Sequence, residues 1–381
     1  MRIAIITSQY PSEQNPYPYA FVHTRVKAYV RRGEDVNVLV PALVEEKYVF
    51  EGVEVHRMPV RAIRRILNQH DVVMLHLLHI SHVPARDGSL IYEFLLREST
   101  PTMMFIHGVE VQRIAIARRD QIVWTQPRSL AVWWYHDFFQ IPKMKRYLQR
   151  FLRAHPRARF VAVSRWMLEE VRRNLNLNLM SKAVIIPNGI DPYLFLFKDR
   201  WKARHRLLTI RPLVLKGKYA VDLALETMRH VSPPINLDIY GRGPDAQKVR
   251  NQIHALRLQG RVRLSEGFFS HAQLPDVYDG HGIYYAVTRM DAQGVSMCEA
   301  MASGMPVVSF DICGIPEFVQ DGLTGLLIEP YNTREAADAI QALVEDQNLY
   351  RRLAVDARRF AESISIERTT ARELAVAREL L

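Results

Sequence analysis

Apolar residues fall into short runs separated by stretches with helical spacing. RIAIIT (2–7), DVNVLV (35–40), DVVMLHL (71–77), TMMFIH (102–107), RFVAVS (159–164) and AVIIPN (183–188) read as strands in the first half. INLDIYG (235–241), RVRLSEG (261–267), GIYYAV (282–287) and PVVSF (306–310) continue the series. Helical patterns lie near 20–32, 218–230, 244–257, 272–279, 295–303 and 333–361. Short apolar strands alternating with helices predict an α/β architecture with parallel, doubly wound sheets. A length of 381 residues implies two such domains, with a cleft between them. Pro, Asn and Gly fall together in PNGIDPYLF (187–195), which marks the boundary. The first domain is then 1–187 and the second 188–364. Residues 365–381 read as a helix with Leu374, Ala377 and Leu381 on one face, packing back on the first domain.

Composition adds little to that picture, and charge adds more. The chain is 48% hydrophobic and 24% charged, as globular chains are. Two cysteines, Cys298 and Cys313, argue against a disulfide framework or a zinc site and for a reducing, cytoplasmic compartment. No apolar run approaches the roughly 18 residues of a membrane span. MRIAIITSQYP reads as a first strand and not as a signal peptide. Residues 1–190 carry 27 Lys+Arg against 16 Asp+Glu, whereas 191–381 carry 24 of each. Within the first half, 101–182 holds 15 against 5. That excess is suited to an anionic partner: a lipid surface, a pyrophosphate-bearing substrate or nucleic acid. A solvated basic face is the plain alternative.

Several short stretches carry candidate chemistry. In TRMDAQGVSMCEAMASGMPVVSF (288–310), Gly294 precedes a helix whose first N–H groups offer an anion site. Glu299 interrupts the apolar stripe of that helix, and Asp291 stands eight residues before it. The two carboxylates would hold sugar hydroxyls, or else cap a turn and pair with a buried arginine. Arg211 and Lys216 in TIRPLVLKGKYA (209–220) stand five apart and could clamp a diphosphate, or could be solvated charges. GRGPDA (241–246) follows a strand, with Glu266 twenty residues beyond Ala246, and so fits a relaxed dinucleotide fingerprint. His107 ends a strand, where open α/β sheets bind ligands. The segment 129–160 interleaves Trp133, Trp134, Tyr135, Phe138 and Phe139 with Lys143, Lys145, Arg146, Arg150 and Arg153. Rings with cations suit an anionic membrane interface, single-stranded nucleic acid, or a core-packed helix pair with a basic outer face.

DAQGVSMCEAMASGMPVV together with GIPEFVQDGLTGLLI (314–328) resembles the donor-site signature of retaining glycosyltransferases of family 4, the glycosyl transferases group 1. PNGID (187–191), the Arg211–Gly217 spacing, GRGP (241–244), HGVE (107–110) and FVHTRVKAYVRRGEDVNVLVP (21–41) match further elements in order, so the resemblance spans nearly the whole chain. It implies a GT-B fold of two Rossmann-like domains. It also implies a donor site in which Arg211, Lys216 and the main chain of Gly294 and Val295 bind a nucleotide diphosphate. Glu299 would take the ribose, Asp291 and His107 the transferred sugar, and the main chain near Phe269 the base, with Gly241 in a donor-domain loop. Two departures stand out: Asp291 and Gln293 replace the family's Glu and Phe, and Ala20 stands where the first loop usually has glycine.

The expected activity is hexosyl transfer with retention, from a UDP- or GDP-sugar to a glycan or lipid-linked acceptor of a bacterial-type surface polysaccharide. Fixed cations and helix-end N–H groups would stabilise the departing diphosphate, so neither cofactor nor metal is expected. Nucleic acid is not an expected partner. The alternatives are an NAD(P)-dependent oxidoreductase using GRGPDA and Glu266, and a basic nucleic-acid-binding protein.

Overall fold

The computed structural model describes residues 1–381 apart from Lys216 and Phe268, and apart from the side chain of Gln121. The chain divides into two compact units, Met1–Gly189 with Ile366–Leu381, and Ile190–Ser365. Among the described residues, the first unit contributes β1 (Arg2–Ile6), β2 (Asp35–Pro41), β3 (Glu46–Phe50), β4 (Val53–Met58), β5 (Val72–His76), β6 (Thr102–Ile106), β7 (Ala158–Ala162) and β8 (Ala183–Ile185). They form one sheet in the order β3-β4-β2-β1-β5-β6-β7-β8, parallel except for the antiparallel β3–β4 pair. β5 and β6 are buried at every position, which is why they read as unbroken apolar runs.

The second unit forms β9 (Arg206–Ile210), β10 (Asn236–Gly241), β11 (Val262–Glu266), β12 (Ile283–Ala286), β13 (Val307–Phe310) and β14 (Leu326–Ile328). This parallel sheet has the order β11-β10-β9-β12-β13-β14. Its two faces feed two cores by strand alternation. Ile283, Tyr285, Val308 and Phe310 join one, together with residues of the helices Val221–His230, Ala246–Ala255 and Thr333–Glu345. Tyr284, Ala286 and Val307 join the other with Met297, Cys298 and Met301 of the helix Val295–Ala302.

Besides β9 and β14, which the apolar runs did not mark, three differences from the sequence pattern have physical causes. β3 and β4 were not expected, because the outer strand β3 is mostly exposed and correspondingly polar. The helical pattern at 333–361 is two helices, Thr333–Glu345 and Gln347–Ser363. Asp346 breaks it by capping the second, accepting from the N–H groups of Asn348 and Leu349 at 2.9 Å each. Leu381 does not belong to the inward face of the last helix. That helix ends at Arg378, and Leu380 turns in beside Leu374 and Ala377 while Leu381 is exposed.

A buried polar knot fastens the last helix to the first unit. Arg25, 2% exposed, donates from Nε to Glu373 Oε1 at 2.9 Å and from Nη1 to Asn188 Oδ1 at 2.8 Å. The Tyr29 hydroxyl donates to the other Glu373 oxygen, and Glu373 is fully buried. Among the described residues no helix is long and apolar enough to cross a membrane. Removing one partner of a buried pair leaves an uncompensated charge. Glu373→Ala should therefore lower unfolding stability by about 3–5 kcal/mol, read as a fall in the urea midpoint. A loss below about 1 kcal/mol would show that the knot is not needed.

Candidate functional site

Arg211 leaves β9 at the carboxyl end of the sheet and is only 6% exposed. Its Nη1 donates to Asp291 Oδ2 at 2.8 Å, while Nε and Nη2 are buried without a partner among the described residues. Each buried unpaired donor costs about 1–3 kcal/mol, so the pair of them is a standing demand for an acceptor. The backbone beneath is closely packed. A Cβ on Gly241 would lie 1.8 Å from the Arg211 carbonyl oxygen, and one on Gly243 would lie 2.2 Å from that of Leu213. The chain's own packing thus accounts for the GRGP glycines. Glu266, which a dinucleotide site would need on a ribose, is instead paired with Arg250. Both features that favoured the oxidoreductase alternative therefore have an account within the chain's own packing and pairing.

Asp291 organises the loop before the helix Val295–Ala302. Its Oδ1 accepts from Gln293 N at 3.2 Å and from Gly294 N at 2.8 Å, while Oδ2 takes Arg211. Gly294 adopts φ 74°, a left-handed conformation that glycine enters without steric cost, and from there the helix begins. One expectation is corrected: the Gly294 N–H is not open for a ligand, because the aspartate turn consumes it. The N–H groups of Val295, Ser296 and Met297 precede the first intrahelical bond, from Cys298 N to Gly294 O, and Gly294 supplies no side-chain cap. Burial opposes ionisation of Asp291, but the Arg211 guanidinium overcomes it and, with a smaller contribution from Lys218, holds the carboxyl below its ordinary value. Asp291 is therefore an anion at neutral pH.

Glu299 is nearly buried, and its partners are neither apolar nor an arginine. Oε2 accepts from the Tyr278 hydroxyl at 3.0 Å and Oε1 lies 3.2 Å from His271 Nε2. Burial, and then the Glu299 carboxylate, push the Tyr278 hydroxyl well above its ordinary value, so it stays protonated and donates. Each carboxylate oxygen keeps a second lone-pair direction for another donor. Phe269 packs edge-on against Tyr240 near the end of β10, ring centres 5.1 Å apart. Gly241, Arg211, Asp291, Gly294 and Val295 follow one another in a continuous corner of the second unit, and Glu299 lies on the helix that starts there. Lys216 lies outside the described residues.

His107 belongs to the first unit, just past the end of β6. Its ring stacks on His76 with centroids 5.1 Å apart, and its Nε2 lies 2.8 Å from His76 Nδ1, so one of the two carries the shared proton. The His107 backbone N–H donates to Glu110 Oε1 at 2.5 Å. Burial, and then the nearby Arg25 cation, push the His107 imidazole down to about 3. His76 is held well below its ordinary value by burial and then by His107. The sequence reading overlooked His76, Tyr278, His271 and Lys218. His76 carried a signal, since it ends β5 as His107 follows β6 on the neighbouring parallel strand. Lys218 stands two residues after Lys216 in the same basic loop, whereas Tyr278 and His271 come to the site through tertiary packing that no local pattern announces. Among the described residues, no group of three or more His, Cys, Asp or Glu side chains is placed to hold a metal ion.

Two α/β units, each built on a mostly parallel sheet, give the chain the GT-B fold. Residues 208–360, which lie within the second unit, match the family model "Glycosyl transferases group 1". It is 31% identical over 156 residues to an alpha-D-kanosaminyltransferase of Streptomyces kanamyceticus, covering 39% of this chain and 40% of that protein. It is 30% identical over 135 residues to a poly(glycerol-phosphate) alpha-glucosyltransferase of Bacillus subtilis, covering 35% and 20%. The matched stretches are thus well under half the length of these relatives. Over the whole chain the fold is similar to that of HepE from Anabaena in complex with UDP, with a TM-score of 0.72 and 14% identity, all of both chains being covered. It is also similar to the pneumococcal O-GlcNAc transferase GtfA in complex with UDP and GlcNAc, with a TM-score of 0.69, 13% identity, and 100% and 99% of the two chains covered.

The two histidines make stability depend on pH. Their folded affinities for protons are depressed, so the unfolded chain binds more protons below the ordinary value of 6.5. Their contribution is fully present above that value and is lost as pH falls toward about 3. Urea midpoints at neutral pH and near pH 5 should therefore converge for His107→Asn relative to wild type. An equal decline in both proteins would place the His107 titration elsewhere.

Proposed function

We propose that the protein is a retaining glycosyltransferase. In this reading it moves a hexose-type sugar from a UDP- or GDP-sugar to a glycan or lipid-linked acceptor in cell-surface polysaccharide synthesis. The observation that carries this reading is Arg211, whose guanidinium nitrogens Nε and Nη2 have no hydrogen-bond partner among the described residues, beside a helix start that Gly294 leaves without a side-chain cap. Charge accumulates on the diphosphate as the sugar–oxygen bond breaks. Donors fixed in advance around that charge lower the barrier, each typically contributing on the order of 10²–10³ in rate. Arg211, Lys216 and the Val295–Met297 end of the helix are suited to hold the diphosphate. Glu299, with free lone pairs and an orientation fixed by Tyr278 and His271, is suited to the two ribose hydroxyls. The base would lie along the main chain near Phe269.

Asp291 would accept from hydroxyls of the transferred sugar while remaining paired to Arg211, which links recognition of the sugar to the position of the diphosphate clamp. Neutral His107, in the first unit, is suited to contact a sugar hydroxyl through Nδ1, the ring nitrogen that His76 leaves. Two relatives are named for alpha transfer, the anomeric sense of the common UDP-hexoses, which is the outcome retention gives.

A thermal-shift panel of UDP, GDP, ADP and CMP with their sugars tests the donor site. At about 100-fold excess over its dissociation constant, the right nucleotide should stabilise the protein by about 2.7 kcal/mol. Glu299→Ala should lose most of that response and Arg211→Ala nearly all of it. If no nucleotide shifts the melting curve, or if both variants respond as wild type does, the assignment fails. An anomeric NMR signal of inverted configuration in the first product would overturn retention alone.

A further inference from the structure

The segment 129–160, whose rings and cations suit a membrane interface, single-stranded nucleic acid or a core-packed helix pair, is two different things in the structure. The helix Ile141–Ala154 gives its apolar side to the core, burying Ile141, Met144, Tyr147, Leu148 and Phe151. The helix Pro127–Tyr135 buries no residue at all, although it contains Val132, Trp133, Trp134 and Tyr135. A π-turn, His136–Gln140, joins the two. Around that turn Trp134 is 60% exposed, Phe138 56% and Trp124 57%. The rings touch one another in a continuous cluster. Trp134 stacks near Phe138 at 6.4 Å, Trp133 meets Phe138 at 5.9 Å, and Trp124 meets Trp133 at 5.6 Å.

Polar anchoring replaces apolar burial in holding this helix. The buried Asp137 carboxylate accepts from Ile114 N at 2.7 Å, Ala115 N at 2.9 Å and Trp133 Nε1 at 3.0 Å, with His136 Nδ1 at 2.8 Å. The ring cluster is thus fixed in place and left in water, and packing within the unit does not explain it. Its charge surroundings point to what covers it. Residues 113–146 contain seven Lys or Arg and two carboxylates, Asp120 and the buried Asp137. Arg119, Arg128 and Arg146 are exposed. Tryptophan and phenylalanine beside arginine match the headgroup boundary of a bilayer, where rings enter the acyl edge and cations meet lipid phosphates. Trp, Phe and Arg are also enriched at protein interfaces, so a protein partner is the competing occupant that the test must separate.

We propose that the ring cluster Trp124–Phe138 is a docking wedge for an anionic lipid bilayer, with Arg119 and Arg128 supplying the charge preference. This goes beyond the donor-site reading and does not need it, because docking requires no nucleotide sugar. The test is co-flotation of the full chain with phosphatidylcholine vesicles, with and without about one third phosphatidylglycerol. UDP thermal shifts measured on the same proteins report the donor site separately.

Wild type should partition about tenfold or more toward the anionic vesicles at low salt, and high salt should remove most of that preference. The Trp134→Ser, Phe138→Ser double variant should partition about tenfold less than wild type, with unchanged melting and UDP response. Should that variant melt lower, Arg119→Glu with Arg128→Glu carries the test and should abolish the anionic preference. Equal partition of wild type into both vesicle types overturns the proposal, as does wild-type binding by a variant. Self-association that disappears in the ring variant, without vesicle binding, overturns it in favour of a protein interface.

Discussion

Arg211 is the constraint around which the second unit's site is built. A guanidinium taken almost wholly out of water must find countercharge, and Asp291 provides it at 2.8 Å. That one pairing has several geometric consequences. Asp291 must face β9, so its other oxygen turns back to collect the N–H groups of Gln293 and Gly294. The turn forces the left-handed conformation at residue 294, and the helix Val295–Ala302 starts from it. Across the sheet, the Arg211 carbonyl is so close to residue 241 that only glycine fits. An arginine chosen only for stability would be expected to have its remaining donors satisfied. Here two are not, which places the site's unmet demand next to the helix end.

Arg25 in the first unit shows what a structural arginine looks like in the same chain. Among the described residues it also has one unpartnered nitrogen, Nη2, but its other donors reach Glu373 and Asn188 and its guanidinium lies 5.4 Å from the centre of the Phe105 ring. Glu373 comes from the far end of the chain, so this knot closes the unit with long-range contacts. The cation has a second effect, since its field, after burial, helps keep His107 neutral. A neutral imidazole beside a buried cation can accept or donate a hydrogen bond without adding charge, which suits contact with an uncharged sugar hydroxyl.

How much of this the sequence could disclose depended on the range of the interactions. Most central strands were legible because parallel strands covered on both faces must be apolar throughout, but β9 was not, because Arg206 and Thr209 interrupt its short apolar run. Glu299 was legible as an anomaly because a carboxylate in an apolar stripe must have a partner or a ligand. Its partners were not, because Tyr278 and His271 reach it across 21 and 28 residues of chain. The GRGP glycines were legible as glycines under constraint, but the sequence could not say whether a ligand or the chain's own backbone crowds them. The backbone of Arg211 and Leu213 does. Gly294 misled in the opposite sense. A glycine before a helix suggests open N–H groups, yet the aspartate three residues earlier takes the first of them.

Charge separates the two halves of the chain, and the reason is physical. The second half has no net charge, yet it holds the site proposed to bind the most highly charged ligand. Local donors fixed in a low-dielectric corner act on the diphosphate without help from a long-range field, and their effect survives salt. A net positive field would also attract free phosphates and nucleic acid without discrimination. The first half has the opposite arrangement. Its excess of cations lies largely between residues 101 and 182, much of it exposed around rings that the fold leaves in water. Surface cations are screened over about 8–10 Å, so they cannot steer a small substrate at a distance, but they act well on an extended charged surface at contact. The same side-chain chemistry, arginine against phosphate, thus serves geometry when it is buried and unpaired, and serves adhesion when it is exposed and numerous.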